Sequence, residues 1–229
     1  MKLTKQHIEN LYKFTRQHYV VHYDLQTELV DHLANDIETI WQTKPNLSFE
    51  QARDISFKKF GVFGFMDVVE ARQKAMSKRY MKLLWSFAKV WFTLPKLLQT
   101  LVLFLTALFL FNLSYGKIIA ISLFSGLFIT MFIKGIKFSK YIKKKEKPGE
   151  KLWLLEDLIF RNATATGMLL LSMLANSYNT LRIFWNYENS QFIVAINFTL
   201  ISLYVYISVV VMPKNTKKLL KSTYPEFNM

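Results

Sequence analysis

The chain has 229 residues, of which 52% are hydrophobic, with a formal net charge of +14 and no cysteine, which excludes disulfides, thiolate metal sites and cysteine nucleophiles. Residues 1–80 carry 12 Lys and Arg against 10 Asp and Glu, whereas residues 81–229 carry 18 against 6. Because this excess positive charge flanks apolar runs, the positive-inside pattern of a membrane protein accounts for it, and we expect no nucleic-acid partner.

Two amphipathic helices are predicted at the start of the chain. Thr4 is placed to cap the first helix, and Asp24 is placed to cap the second. The second helix is expected to end at the sequence Lys44-Pro45-Asn46, since proline interrupts a helix. Its apolar stripe recurs every four residues and consists of Leu25, Leu29, Leu33, Ile37 and Trp41.

Two further helices complete a predicted cytoplasmic domain of residues 1–80. Ser48 and Gln51 have the spacing of a capping box at the start of the third helix, and Gly61 stands where a glycine often ends a helix. The fourth helix is predicted to begin near Phe65 and to lead into a connector over residues 81–96. The tryptophans and lysines of this connector favour the membrane interface.

Four apolar runs follow, and each is predicted to cross a membrane. Residues 134–151, between the second and third runs, hold eight lysines against two glutamates, whereas the other two links each hold one basic residue. Basic residues beside spans resist translocation, so this loop and both termini are predicted to be cytoplasmic. The four runs cover residues 97–113, 118–133, 163–180 and 192–212.

The predicted fold is therefore all-α, with a small cytoplasmic helical domain followed by a four-helix transmembrane bundle. The membrane domain covers residues 97–212 and includes the basic cytoplasmic loop 134–151. The sequence Met212-Pro213 is expected to end the fourth span, which leaves residues 213–229 as a basic cytoplasmic tail. The predicted location is a bacterial inner membrane, which the chain crosses several times.

One polar cluster in the cytoplasmic domain is a candidate site. Glu28, Asp31 and His32 lie on the second helix, where Glu28 and His32 are four residues apart and share a face. No nucleophile, general base or further ligand is evident beside them. A partner-binding or structural role is therefore preferred, and we predict no catalytic residue, no metal and no cofactor.

The membrane half offers two further sets of candidate contacts. Asn197 lies within the fourth run and is predicted to hydrogen-bond across helices, in preference to acting as a transport ligand. The basic loop is predicted to contact anionic lipid headgroups, which attract lysines near a membrane surface. The lysines concerned are Lys140, Lys143, Lys144, Lys145 and Lys147.

The N-terminal residues also resemble a known family. The sequence YDLQTELVDHL at residues 23–33, with NLSFEQA at 46–52 and KKFG at 58–61, is similar to the small helical HAAS-type domain. Such domains lie at the cytoplasmic N-terminus of many bacterial membrane proteins, and the resemblance covers about residues 3–80. It implies an interaction or signalling module, often encoded near PadR-type transcriptional regulators, and it implies no catalytic residues.

These observations predict a membrane-anchored regulatory or scaffolding protein, without catalysis, whose cytoplasmic helical domain binds an unidentified cytoplasmic protein. The alternative is a small transporter or export-system subunit that uses the four-helix membrane domain, and a third hypothesis is a membrane enzyme that uses the polar cluster. A homo-oligomer is compatible with each. Polar residues converging between helices would favour transport, whereas an apolar bundle would favour anchoring.

Overall fold

The computed structural model of the protein describes residues 2–147, 149–166, 185 and 189–228. Within these residues every regular element is a helix and no strand occurs, which confirms the predicted all-α class. The helices are α1 (Lys5–Gln17), α2 (Tyr23–Thr43), α3 (Phe49–Lys58), α4 (Met66–Lys89), α5 (Leu94–Phe111), α6 (Gly116–Lys145), α7 (described over residues 154–166), α8 (Ser190–Tyr206) and α9 (Met212–Thr223).

The chain divides into two compact units. The first unit combines Met1–Lys78 with Lys145–Leu155, and the second combines Arg79–Lys144 with Glu156–Met229. The first unit therefore contains the helices predicted for the cytoplasmic domain together with a segment that the chain reaches only after α6.

Helix starts in the first unit follow the predicted capping residues in two of three cases. Thr4 Oγ1 accepts the His7 N–H at 3.3 Å, and Ser48 Oγ accepts the Gln51 N–H at 3.2 Å, each within a complete capping box. The prediction that Asp24 caps α2 is wrong. Helix α2 begins two residues earlier than this prediction, at Tyr23 with His22 as its N-cap, and the Asp24 carboxylate accepts a hydrogen bond from a distant part of the chain.

The core of the first unit forms around α2, which packs on α1 and α3. Leu11 and Phe14 of α1 and Ala52 of α3 are buried beside it. The Trp41 indole N–H donates to the Leu47 carbonyl at 3.0 Å, so its polar atom is satisfied inside the core. The predicted apolar stripe of α2 is fully buried and comprises Leu25, Leu29, Leu33, Ile37 and Trp41.

An ion pair joins α2 to the end of α3. Lys59 Nζ lies 2.6 Å from Asp36 Oδ1, and both residues are on the edge of the core. Burial alone would raise the pKa of Asp36, but the Lys59 ammonium and the Ser56 hydroxyl together hold that pKa below its ordinary value. The pair therefore stabilises the first unit while Asp36 is ionised, and this contribution falls as the pH drops below about 3.8.

The turn between α3 and α4 is fixed by two glycines and one aromatic side chain. Gly61 and Gly64 have φ of +79° and +55°, in the left-handed region where glycine carries no steric penalty. A Cβ on Gly64 would lie 2.9 Å from Cζ of Phe57, whereas a Cβ on Gly61 would meet no atom within 4 Å. Phe65 is buried, with its ring centroid 4.9 Å from those of Phe57 and Phe60.

Three helices of the described chain are long and apolar enough to cross a membrane, in agreement with the predicted membrane protein: α5, α6 and the continuous helical stretch Ser190–Thr223. The third predicted run, residues 163–180, lies mainly outside the described residues. Pro95 lies in the first turn of α5, where proline is tolerated because the backbone N–H has no helical partner.

Two helices continue beyond the residues at which their membrane spans were predicted to end. Helix α6 extends to Lys145, so residues 134–145 are helical and not a loop. Lysine is compatible with a helix, and the next Pro-Gly pair comes only after Lys147. Pro213 likewise does not end the fourth run. A wider π turn over Ile207–Val211 precedes it, and Pro213 then lies in the first turn of α9, where its missing N–H is tolerated.

Apolar side chains hold the helices of the second unit together. Gly135 of α6 permits a close approach to α7, since a Cβ there would lie 3.6 Å from Thr164 Cγ2. One core joins α5, α6 and α8 through Ala107, Phe111, Ala120, Val194, Ala195 and Phe198. A second core joins α6, α7, α8 and the π turn through Met131, Ala163, Val205 and Val209.

The two turn glycines should respond differently to alanine. Gly61→Ala is expected to destabilise the first unit by about 1–2 kcal/mol, the cost of a left-handed non-glycine residue. Gly64→Ala is expected to cost about 1–3 kcal/mol more, because the added methyl group overlaps the Phe57 ring. Hydrogen exchange of α3 and α4 peptides in the full-length protein measures both effects. Equal exchange in the two variants would contradict the Phe57 contact.

Candidate functional site

The predicted polar cluster on α2 lies at the surface of the first unit. Glu28 forms an ion pair with Arg72 of α4, and the His32 ring stands edge-on to Phe60, with the ring centroids 5.4 Å apart. Asp31 and His32 are exposed. The cluster thus includes one residue that ties α2 to α4 and two that are accessible to a partner.

A different site is formed where the N-terminus of α2 holds residues 151–155, which we call the docked segment. The Tyr23 N–H donates to the Leu152 carbonyl at 2.7 Å. The Leu154 N–H donates to Asp24 Oδ1 at 3.0 Å. The main-chain N–H of Tyr23, which has no partner within the helix, and the first-turn carboxylate of Asp24 therefore bind the residues that lead into α7.

Aromatic and cationic contacts add to these hydrogen bonds. The Trp153 ring meets Tyr23 edge-on, with the ring centroids 5.3 Å apart. Lys151 Nζ lies 4.3 Å from the centroid of the same Tyr23 ring, within the range of a cation–π interaction. Tyr23 therefore contacts three residues of the docked segment through its backbone and its ring.

The docked segment belongs to the first unit, and its apolar side chains are buried. The side chains of Leu152, Trp153, Leu154 and Leu155 are between 0% and 4% exposed. Such burial removes several hundred Å² of apolar surface from water, at about 25 cal/mol per Å². The contact is thus a packed interface, held in register by the two hydrogen bonds.

A shallow groove of about 400 Å³ lies on the α1 side of Tyr23 and is lined by Glu9, Tyr12, Lys13, Arg16 and Tyr23. Tyr12 stacks on Tyr23 at 6.2 Å, and its hydroxyl lies 3.1 Å from Thr27 Oγ1. Burial raises the pKa of the Tyr12 phenol, so this group stays neutral at physiological pH. The groove is open to solvent and is separate from Asp31 and His32, which do not line it.

The end of the docked segment is followed by two buried carboxylates in the second unit. Glu156 Oε1 accepts a hydrogen bond from the Tyr141 hydroxyl at 2.5 Å, and Asp157 Oδ1 lies 2.6 Å from Arg161 Nε. Because each of these carboxylates has a partner, both can be buried at the start of α7.

The residues predicted to contact lipid, and the one predicted to link helices, are placed as follows. Lys145 is half-buried, and its Nζ lies 3.3 Å from Glu150 Oε2. The Asn197 side chain is exposed and donates to the Ile193 carbonyl one turn back in its own helix at 2.9 Å, so the amide is satisfied without the expected neighbouring helix. Four of the predicted lipid-contacting lysines are exposed: Lys140, Lys143, Lys144 and Lys147.

Within the described part of the chain, no group of three or more His, Asp or Glu side chains is arranged to hold a metal ion. Comparisons of the chain with protein-family models, curated proteins and solved structures found no match. The resemblance of residues 3–80 to a HAAS-type domain therefore stays a prediction, and the site is interpreted from its own contacts.

The docked segment should loosen when its hydrogen-bond acceptor is removed. Asp24→Ala leaves the Leu154 N–H without its partner and is expected to cost about 1–3 kcal/mol. Hydrogen exchange of peptides covering residues 145–155 in the full-length protein should rise accordingly. Asp31→Ala is the matched control, since it removes the same charge from an exposed position of the same helix. Similar exchange in both variants would show that the Asp24 contact contributes nothing.

Proposed function

We propose that this chain is a membrane-anchored regulatory or scaffolding protein whose N-terminal helical unit binds a cytoplasmic protein partner. The observation that carries the proposal is the docked segment. Its residues are covalently continuous with α6 on one side and α7 on the other, and they are packed into the core of the N-terminal unit. A partner bound to this unit thereby acts on a segment that joins two helices of the membrane half.

Helix α2 provides the physical link for such an action. Its N-terminal residues Tyr23 and Asp24 hold the docked segment, and Asp31 and His32 are exposed two turns further along the same helix. The seven residues from Asp24 to Asp31 correspond to about 10 Å of helix, so the two sites lie close together on one element. A partner that contacts Asp31 and His32 can therefore strengthen or weaken the hold on the docked segment.

The transport alternative has less support from the second unit. The two cores of its described residues consist of apolar side chains. The buried Thr199 hydroxyl donates to the Ala195 carbonyl of its own helix, and Asn197 similarly donates to Ile193. Transport sites require polar groups that converge between helices, whereas these groups are satisfied within one helix.

The proposal requires a defined topology, with the N-terminal unit and residues 145–155 on the cytoplasmic side. Reporter fusions placed after Tyr115 and after Asn189 are expected to give a periplasmic signal. A fusion after Gly149 is expected to give a cytoplasmic signal, because the surrounding lysines resist translocation. A periplasmic signal at Gly149 would be incompatible with a partner in the cytoplasm.

Partner binding can be tested without deleting the N-terminal unit, which would expose the apolar docked segment. We expect a photo-crosslinking amino acid at Asp31 to capture a specific protein in cells, whereas one at exposed Lys5 of α1 captures less of it. Asp31 lies on the exposed face of α2, so reversing its charge should disrupt the contact with the partner protein. In the test, Asp31→Lys combined with a crosslinker at Asn35 should lower the yield, and Lys5→Glu should not.

The readout is mass spectrometry of the crosslinked product from full-length protein in its membrane. Loss of one defined product with Asp31→Lys supports the proposed interaction. Identical products from all positions, or no product from Asp31 and Asn35, would contradict the proposed interaction of the first unit.

A further inference from the structure

The turn between α3 and α4 displays apolar side chains to solvent. We call residues 61–66 the apolar turn. Val62 is 97% exposed, Phe63 is 71% exposed and Met66 is 51% exposed. Val62 and Phe63 are adjacent, and Met66 begins α4 at the end of the turn. Because folding normally buries such side chains, their joint exposure marks a candidate surface for binding.

The base of this turn is rigid. Gly61 and Gly64 hold left-handed backbone conformations, and the Gly64 N–H donates to the Gly61 carbonyl at 3.3 Å. Phe65 is anchored in an aromatic cluster with Phe57 and Phe60. The fixed backbone therefore places the Phe65 ring in the core and the Phe63 ring in solvent.

A second exposed ring, that of Tyr19, directly follows a residue that packs on the same aromatic cluster. The His18 ring packs against Phe57 and Phe65, with centroid distances of 4.5 and 5.8 Å. Tyr19 follows directly, has φ of +63° and is 83% exposed. Tyrosine is enriched at membrane–water interfaces, where its amphipathic ring lies at the level of the headgroups.

The size and surroundings of the apolar turn favour a lipid surface over a protein. A specific protein interface covers about 800 Å² on each partner, whereas one exposed aromatic side chain offers about 150–250 Å². A bilayer needs no surface of complementary shape to bind an apolar side chain. The chain has three helices long and apolar enough to place it in a bilayer. The apolar turn leads directly into α4, a helix of 24 residues that precedes α5, the first helix long and apolar enough to cross a membrane.

The charge on α4 also suits an anionic bilayer. Asp67 and Glu70 stand at its start, but from Arg72 to Lys89 it carries six Lys and Arg and no Asp or Glu. Trp85 is 57% exposed on the same helix. Exposed apolar and basic side chains together favour the headgroup region, where each basic residue adds attraction.

We propose that the apolar turn is a lipid-contacting loop, which inserts Val62 and Phe63 into the interfacial region of the bilayer that holds the rest of the chain. The apolar side chains supply the insertion, and the basic stretch of α4 supplies attraction to anionic headgroups. This inference goes beyond the proposed function and requires only that the chain is embedded in a membrane.

The chain has no cysteine, so a single introduced cysteine gives a unique labelling site. The full-length Val62→Cys protein is labelled with an environment-sensitive fluorophore and placed in nanodiscs, with one copy per disc. The nanodiscs contain phosphatidylcholine and phosphatidylglycerol, and a fraction of the lipids carry a nitroxide quencher on an acyl chain. Asn35→Cys, at an exposed position of α2, is the control. We expect quenching at position 62 to exceed that at position 35 several-fold.

Adding Phe63→Asp to the labelled Val62→Cys protein should lower its quenching to the level of the Asn35 control. Because Phe63 is exposed, this change leaves the aromatic cluster in place, which unchanged hydrogen exchange of α3 would verify. The proposal is overturned if positions 62 and 35 are quenched equally or if Phe63→Asp has no effect. It is also overturned if the fluorophore becomes protected only when cytosolic protein is added, which would identify a protein as the occupant.

Discussion

The interaction on which the architecture depends joins Asp24 to Leu154, two residues separated by 130 positions in the chain. Closing so long a loop costs little more entropy than closing one half as long, because the cost grows only logarithmically. The buried side chains of residues 152–155 offset that cost. The N-terminal helices consequently gain part of their core from a segment that follows α6, and a unit of about 80 residues acquires extra apolar burial.

Helix α2 is the organising element of the first unit. Its start binds the docked segment, its middle pairs Glu28 with Arg72 of α4, and its apolar face packs on α1 and α3. These contacts are of three kinds: hydrogen bonds, an ion pair and burial of apolar side chains. All of them lie on one helix, so α2 connects α1, α3, α4 and the docked segment.

Local signals in the sequence were sufficient for the all-α class, for the caps at Thr4 and Ser48 and for the buried stripe of α2. They were insufficient to predict the role of Asp24. A carboxylate at a helix start can accept a hydrogen bond from any nearby N–H, and the donor here, Leu154, is distant in sequence. The docked segment was missed for a related reason. Its Leu-Trp-Leu-Leu sequence has the same composition as the edge of a membrane span, and composition does not specify a binding surface.

Phe63 and Phe65 show why the candidate lipid-contacting site could not be read from a hydrophobic pattern. They are identical residues two positions apart, yet Phe65 is in the core and Phe63 is in solvent. Gly61 before the two rings and Gly64 between them have left-handed backbone angles, and the Phe57 ring leaves no room for a side chain at Gly64. Because the exposed ring contributes little to the core while the buried ring anchors the turn, position 63 can change its affinity for a lipid surface without a loss of fold stability.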